Sequence, residues 1–383
     1  MLSLFVSMAY LFVILLYSQF MQATKFFMFE VFRSSFKFLK TFNGHKDSVK
    51  SIDYSTFGDD QFICSGSDDK TVCVWDVDTG KYIQSFDGHS SYVYCVKFSK
   101  YHYYNNRSNI ACSSSSDNTI RFWDIKKNKQ FKIFNGHTKG VYCIEFSPFN
   151  DCKYLCSGSG DKTIRLWDVE ESESVHVFNG HTDSVWCLDI SPLRSNNKNE
   201  SNHIGIIGGN GYTICSGSND KTIRVWDIET IKQLNVFRGH RNTVNSVKYG
   251  PNEFGINDAN TILSGSLDHS VRLWDIRSGR QIQVFNEHEL RVNVVEYLPL
   301  VANKEVGYSP NVICAGSGDN TIRFWDIRSN KNELYKICGD DREYYGVLCL
   351  KFASLKEKGK NNEKSNGFHL YYGSGRGPLY VWG

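Results

Sequence analysis

The sequence predicts an all-β chain folded as a closed ring of seven repeated units. Two observations predict it. A tryptophan closes a short β-branched run again and again, at Trp75-Asp76, Trp123-Asp124, Trp167-Asp168, Trp226-Asp227, Trp274-Asp275, Trp325-Asp326 and Trp382-Gly383, and only Trp186 lies outside the series. A Gly-His pair precedes most of these, at Gly44-His45, Gly88-His89, Gly136-His137, Gly180-His181 and Gly239-His240, decaying to Glu287-His288 and then to Gly339-Asp340. Self-similarity at this period marks an architecture whose units bury their apolar faces only against one another. With four short strands per unit, the fold class is a seven-bladed β-propeller.

The elements follow in chain order. Residues 1–24 carry no charged side chain, and Leu2 to Tyr17 is almost wholly apolar. Such a run is at the short edge of a membrane-spanning helix. Three readings compete. It is a membrane tether through residues 2–21, a signal peptide lacking a basic n-region and a clear cleavage site, or a non-native start. The flanking charges follow the segment, Lys25, Arg33, Lys37 and Lys40 against Glu30. On the tether reading, the positive-inside rule keeps the remainder cytoplasmic. Residues 25–35 read as a linker and 36–383 as the propeller.

Phe38-Leu-Lys-Thr-Phe42 stands before Gly44-His45 as Tyr82-Ile-Gln-Ser-Phe86 stands before Gly88-His89. It therefore reads as an outermost strand d with no unit of its own. The seventh unit runs only to Trp382-Gly383, the end of a strand c. Pairing the two ends closes the ring and removes both open edges.

In the third unit, residues 140–146 alternate as strand a, 153–157 form strand b, 163–167 strand c and 175–178 strand d. Strand c is apolar because both faces of a blade pack on neighbours. The Ser-Gly-Ser-x-Asp segment supplies the b–c turn, whose backbone Asp and Gly tolerate. Insertions between strands a and b, at Lys100–Asn109, Pro192–Gly211, Leu298–Pro310 and Ala353–Gly367, are rich in Asn, Gly and Lys and read as mobile surface loops. Residues 351–364, with five lysines against two glutamates, read as solvated.

Whole units align as well as dipeptides. Cys64-Ser-Gly-Ser-Asp-Asp-Lys-Thr-Val-Cys-Val-Trp75 matches Cys156-Ser-Gly-Ser-Gly-Asp-Lys-Thr-Ile-Arg-Leu-Trp167 and Cys215-Ser-Gly-Ser-Asn-Asp-Lys-Thr-Ile-Arg-Val-Trp226. From about Phe36 to its last residue, the chain resembles the WD-repeat family. A buried indole N–H needs an acceptor, and the serine of the neighbouring strand b can supply it. The resemblance implies that the Gly-His histidine bridges this serine to the turn aspartate. The implied sets are His45, Ser65, Asp69 and Trp75; His89, Ser113, Asp117 and Trp123; His137, Ser157, Asp161 and Trp167; His181, Ser216, Asp220 and Trp226; and His240, Ser264, Asp268 and Trp274. Each bond in such a network contributes about 0.5–1.5 kcal/mol net. A catalytic Ser-His-Asp triad is needed once, so recurrence in five units argues against one. The set decays along the chain. The sixth unit has Ala315 at the serine position, and the seventh has Asp340, Tyr372 and Arg376 at the His, Ser and Asp positions.

The resemblance also implies that strand a lines a central channel, with the residue after its first valine at the top-face mouth. Those residues are Lys50, Tyr94, Tyr142, Trp186, Asn245, Asn293 and Leu348. Three successive units thus present Tyr94, Tyr142 and Trp186, which suit an inserted side chain or a cation. The competing reading is that they plug a narrow channel.

The net charge of +3 over 383 residues is too small to imply a nucleic-acid partner. The twelve cysteines show no zinc or disulfide spacing. Cys64, Cys112, Cys156, Cys215 and Cys314 occupy equivalent positions, too far apart in a ring to pair, and read as buried apolar residues in a reducing compartment. Nothing resembles a metal cluster, nucleophile elbow or nucleotide loop, so no enzyme activity or cofactor is expected. The resemblance implies a non-catalytic scaffold that binds peptides or domains on its top face and rim, as a monomeric propeller within a larger complex. The alternative is a substrate receptor of a cullin-type ubiquitin ligase, docking through Trp274-Asp-Ile-Arg277 and Trp325-Asp-Ile-Arg328. Arg277 and Arg328 would then touch the adaptor; the plainer reading is two solvated arginines.

Overall fold

The computed structural model describes residues 36–58, 60–191, 212–251, 261–299, 312–328, 333–339, 346–354 and 368–383. They form seven four-stranded sheets, each paired antiparallel, so the all-β seven-bladed propeller is what the chain builds. The strands a span Val49–Phe57, Val93–Phe98, Val141–Phe146, Val185–Ile190, Val244–Tyr249, Val292–Tyr297 and Val347–Ser354. Each packs on the strand a of the next blade, and the seventh packs on the first, which makes them the inner wall of a closed ring. In the third blade the other strands are Tyr154–Ser159, Ile164–Asp168 and Glu173–Phe178. Strands b and d each run two residues beyond their expected outer limits, because pairing continues to Val141 opposite Ser159 and to Asp168 opposite Glu173.

Every strand a carries a bulge immediately after its first valine, between Val141 and Cys143 in the third blade and at the equivalent place in the other six. A bulge adds one residue and re-aims side chains. It leaves the second and fifth positions on the inner wall while the first and fourth are buried in the blade. Core clusters straddle neighbouring blades; one joins Ile164, Leu166 and Phe178 of the third blade to Val185, Leu188 and Trp226 of the fourth. The strand-c tryptophans of the first six blades are all fully buried at their centres.

The ring closes where the two ends meet. Phe38–Phe42 pairs antiparallel with Leu379–Trp382, Phe42 lying opposite Leu379 and Thr41 opposite Tyr380. Backbone bonds between Lys37 and Gly383 extend the pairing in both directions, at 3.2 and 3.1 Å.

Two sequence expectations are corrected. The insertion at Lys100–Asn109 is not a loop: Lys100–Asn106 is a helix. It docks through Tyr103, whose ring lies 5.0 Å from Phe57, and through buried His102, which packs on Phe122 and Phe131. Aromatic residues gave no helical periodicity to read, yet they bury well. Lys351, counted with a solvated stretch, belongs to strand a and bonds Asp53 at 3.0 Å. The insertion at 192–211 and most of 298–310 and 353–367 lie outside the described residues, as do residues 1–35 with their tether and linker readings. Among the described residues, no helix is long and apolar enough to cross a membrane.

Candidate functional site

The fourth blade shows the polar network in full. Trp226 Nε1 donates to Ser216 Oγ at 2.8 Å, Ser216 Oγ meets His181 Nε2 at 2.8 Å, and His181 Nδ1 meets Asp220 Oδ2 at 2.8 Å. The first, second, third and fifth blades repeat this arrangement, with Trp–Ser distances of 3.1, 2.7, 2.8 and 2.8 Å. A neutral imidazole with its proton on Nδ1 satisfies every member. The indole donates to the serine, the serine to Nε2, and Nδ1–H to the carboxylate. Burial, outweighing the aspartate, pushes His89, His181 and His240 below the ordinary histidine value. Burial pushes the Asp117 and Asp220 carboxylates up, but the histidine, threonine and backbone N–H donors together hold both well below their usual range. The serine hydroxyls are fully buried, so none is placed to attack a substrate.

A fifth member went unread in the sequence. Thr71, Thr119, Thr163, Thr222 and Ser270 each donate to the free oxygen of the turn aspartate, at 2.6–2.7 Å. The repeated Asp-Lys-Thr was its signal. Arginine packs over this layer in the second, fourth and fifth blades; Arg224, for example, bonds Thr222 at 3.3 Å and Gln233 at 2.6 Å. In the first blade Cys73 holds that position, its sulfur 3.6 Å from His45 Nδ1. There the protonation differs: although burial opposes it, Asp69 and Cys73 raise His45 to about 9.

The seven positions that follow the first valine of each strand a divide. Tyr142 and Trp186 stack face to face, 4.2 Å apart at 7°. Tyr94 meets both edge-on, at 5.0 and 5.8 Å. These three form one aromatic cluster contributed by adjacent blades. Asn245 and Asn293 are instead committed to the next blade, bonding the carbonyls of Val292 at 3.0 Å and Val347 at 2.8 Å. Lys50 is paired with Asp68 at 3.0 Å, and Leu348 is half-buried. Trp186 Nε1 and Asp68 Oδ1 find no hydrogen-bond partner among the described residues. Burial raises the Tyr142 and Tyr94 phenols, with Asp183 adding to the first and Asp68 to the second.

The profile of the family described as WD domain, G-beta repeat, matches residues 36–76, 80–124, 128–168, 172–227, 231–275 and 279–326. The chain belongs to the WD-repeat family. It is 40% identical over 58 residues to coatomer subunit beta'-1 of Arabidopsis thaliana, a segment covering 15% of this chain and 6% of that protein. It is 38% identical over 61 residues to the peroxisomal targeting signal 2 receptor of Homo sapiens, covering 16% and 19%. It is 53% identical over 49 residues to the CCR4-associated factor 4 homolog of Candida glabrata, covering 13% and 8%. Each match spans little more than one blade and under a fifth of the relative.

The last two WD-repeat blades depart from the pattern. In the sixth, His288 Nδ1 still meets Asp319 at 2.8 Å, but Ala315 supplies no hydroxyl. His288 Nε2 and Trp325 Nε1 are consequently buried without a partner among the described residues. Ala315→Ser should restore the missing link and stabilise the propeller by about 1–2 kcal/mol, because each buried orphan regains a bond. A urea denaturation midpoint that stays put or falls would show that the pocket rejects the extra oxygen. In the seventh blade, Tyr372 fills the serine position and stacks on Tyr380 at 4.9 Å. Phe36 stacks on Trp382 at 6.1 Å, so aromatic packing replaces the polar network. Asp340 lies outside the described residues, and the Arg376 backbone N–H reaches Ser374 at 3.4 Å.

The two arginines of the adaptor reading differ. Arg277 is exposed, its backbone N–H bonding Asp275 at 2.9 Å. Arg328 folds back onto Asp326 through Nε at 3.0 Å and Nη2 at 2.7 Å. Among the described residues, no group of three or more His, Cys, Asp or Glu side chains is placed to hold a metal ion.

Proposed function

We propose that the chain is a non-catalytic scaffold that holds a protein partner at the channel mouth, with Tyr94, Tyr142 and Trp186 as the anchor. The observation that carries this reading is the division of the mouth. Three adjacent blades contribute large aromatics, whereas the two asparagines and the lysine are spent on internal bonds. Large aromatic side chains are what interface centres use as anchors. The Asp183 carboxylate near Tyr142 favours a basic side chain in the partner, as do the ring faces. Two of the relatives are named as a subunit and as a receptor, roles defined by binding other molecules.

The propeller of residues 36–383 is the binding unit on this reading. Residues 1–24 would tether it to a membrane from the cytoplasmic side, as the charges after that segment favour. The ligase-receptor reading draws less support, since Arg328 is already held by Asp326. Reversing the charges of Arg277 and Arg328 and assaying recovery of a ligase adaptor tests it directly.

Quantitative affinity purification with the Trp186→Ala, Tyr142→Ala double variant tests the main reading. Loss of a central aromatic anchor typically weakens binding by about 2 kcal/mol or more. Unchanged partner recovery by a folded double variant would remove this face as the site.

A further inference from the structure

Deeper along the inner wall, the fifth residue of every strand a is ionisable. In blade order these are Asp53, Lys97, Glu145, Asp189, Lys248, Glu296 and Lys351. The ring of charge they make was not read from the sequence. Six of them pair: Lys97 with Glu145, Lys248 with Glu296 at 3.5 Å, and Lys351 with Asp53 at 3.0 Å across the closing seam. Asp189 is the member left over. A ring with an odd number of members cannot alternate in sign throughout. One pair of like neighbours is unavoidable, and it falls between Glu145 of the third blade and Asp189 of the fourth.

The groups around Asp189 come from every element packed on it. Glu145 faces it from the preceding strand a. Lys248 faces it from the following one but is already engaged by Glu296, which adds its own negative charge from one blade further on. The thiols of Cys187 on the same strand and Cys215 on strand b, and the phenols of Tyr249 and Tyr297, complete the surroundings. Asp189 Oδ2 accepts the backbone N–H of Tyr249 at 2.8 Å. In so confined a space, a carboxylate beside another carboxylate is disfavoured relative to its neutral form.

We propose that Asp189 is the proton-holding member of the ring, taking up a proton as the propeller folds and so making the stability of the closed ring sensitive to pH. Burial is the largest influence, Glu145 and Glu296 add to it against Lys248, and the carboxyl is pushed up to about 6. The contrast with its neighbours shows what a base supplies. Asp53, the more buried of the two aspartates, is held below its ordinary value by Lys351 and Lys97 against burial, and Glu145 is held down by Lys97. An aspartate in the unfolded chain titrates near about 4. Between that value and about 6 the folded chain binds more protons than the unfolded one, so stability falls as pH rises through this window and is level above it.

Asp189→Asn keeps an acceptor for the Tyr249 N–H and removes the charge. Thermal unfolding of the full chain and of this variant is to be compared from about pH 4 to about pH 8. The Tm of the variant relative to the parent should rise through the window and then stay level. Contributions from the network histidines cancel in this difference. A Tm difference that is the same at every pH overturns the proposal. Should the variant fail to fold, carboxyl-carbon NMR of the unaltered protein decides the matter. A raised Asp189 midpoint upholds the proposal, and an ordinary one overturns it.

Discussion

Removing residues 1–42 should abolish the cooperative thermal transition, whereas removing residues 1–35 should leave it intact. The seven residues that differ between these truncations carry the closing strand. Without Phe38–Phe42, the strand Leu379–Trp382 loses its outer partner and stands as an open edge. Phe42 is 2% exposed and packs on Trp75 of the first blade and Tyr371 of the seventh, with centroids 5.4 and 6.4 Å away. Losing a buried phenylalanine alone costs about 3–5 kcal/mol. Lys40 also donates to the Val77 carbonyl of the first blade at 3.0 Å. The combined loss rivals the whole stability of an ordinary domain, about 5–15 kcal/mol. Circular dichroism on heating reads the result, and equal melting of the two truncated chains would defeat the closure argument.

His181→Ala should destabilise the propeller by about 1–3 kcal/mol. The substitution strands the Ser216 hydroxyl and takes the Nδ1–H from the Asp220 carboxylate. It also removes a ring that lies edge-on to Trp226 at 5.8 Å. His288→Ala in the sixth blade should cost less, because the Nε2 of that histidine already has no partner among the described residues. Denaturation series on the two variants give the order; the reverse order would mean that the serine link is not what the histidine contributes. The effect has a defined pH dependence. Burial lowers the folded His181 value, so the unfolded chain takes up a proton first on acidification. The stability contributed by neutral His181 is full above the ordinary histidine value of about 6.5 and declines as pH falls below it.

The ring and its polar network were legible in the sequence because they are repeated. Each blade solves the same problem, burying an indole and closing a turn, so Trp226, Ser216, His181 and Asp220 reappear at matching places in four other blades. The unmatched ends, Phe38–Phe42 and Leu379–Trp382, announced their pairing by the same logic. The positions proposed for the channel mouth came only from family resemblance, since the bulge after each first valine breaks the two-residue alternation that would have assigned their direction. The helix at Lys100–Asn106 was missed because its stability comes from Tyr103 and His102 packing on other elements, with no periodicity of its own.

What the sequence by itself determined was therefore whatever depends on neighbours within one blade or on the repeat of blades. The tertiary structure decided whatever depends on contact between blades. It stacked Trp186 on Tyr142, and it turned Lys351 from a presumed loop lysine into the partner of Asp53. The charges of the inner ring are written along the chain, but closure brings the last beside the first. With Lys351 given to Asp53, Lys97 to Glu145 and Lys248 shared first with Glu296, Asp189 has no base of its own among the described residues. Local rules act over a turn or a strand pair, whereas the matching of charges around a closed ring of odd number is a property of the whole circle.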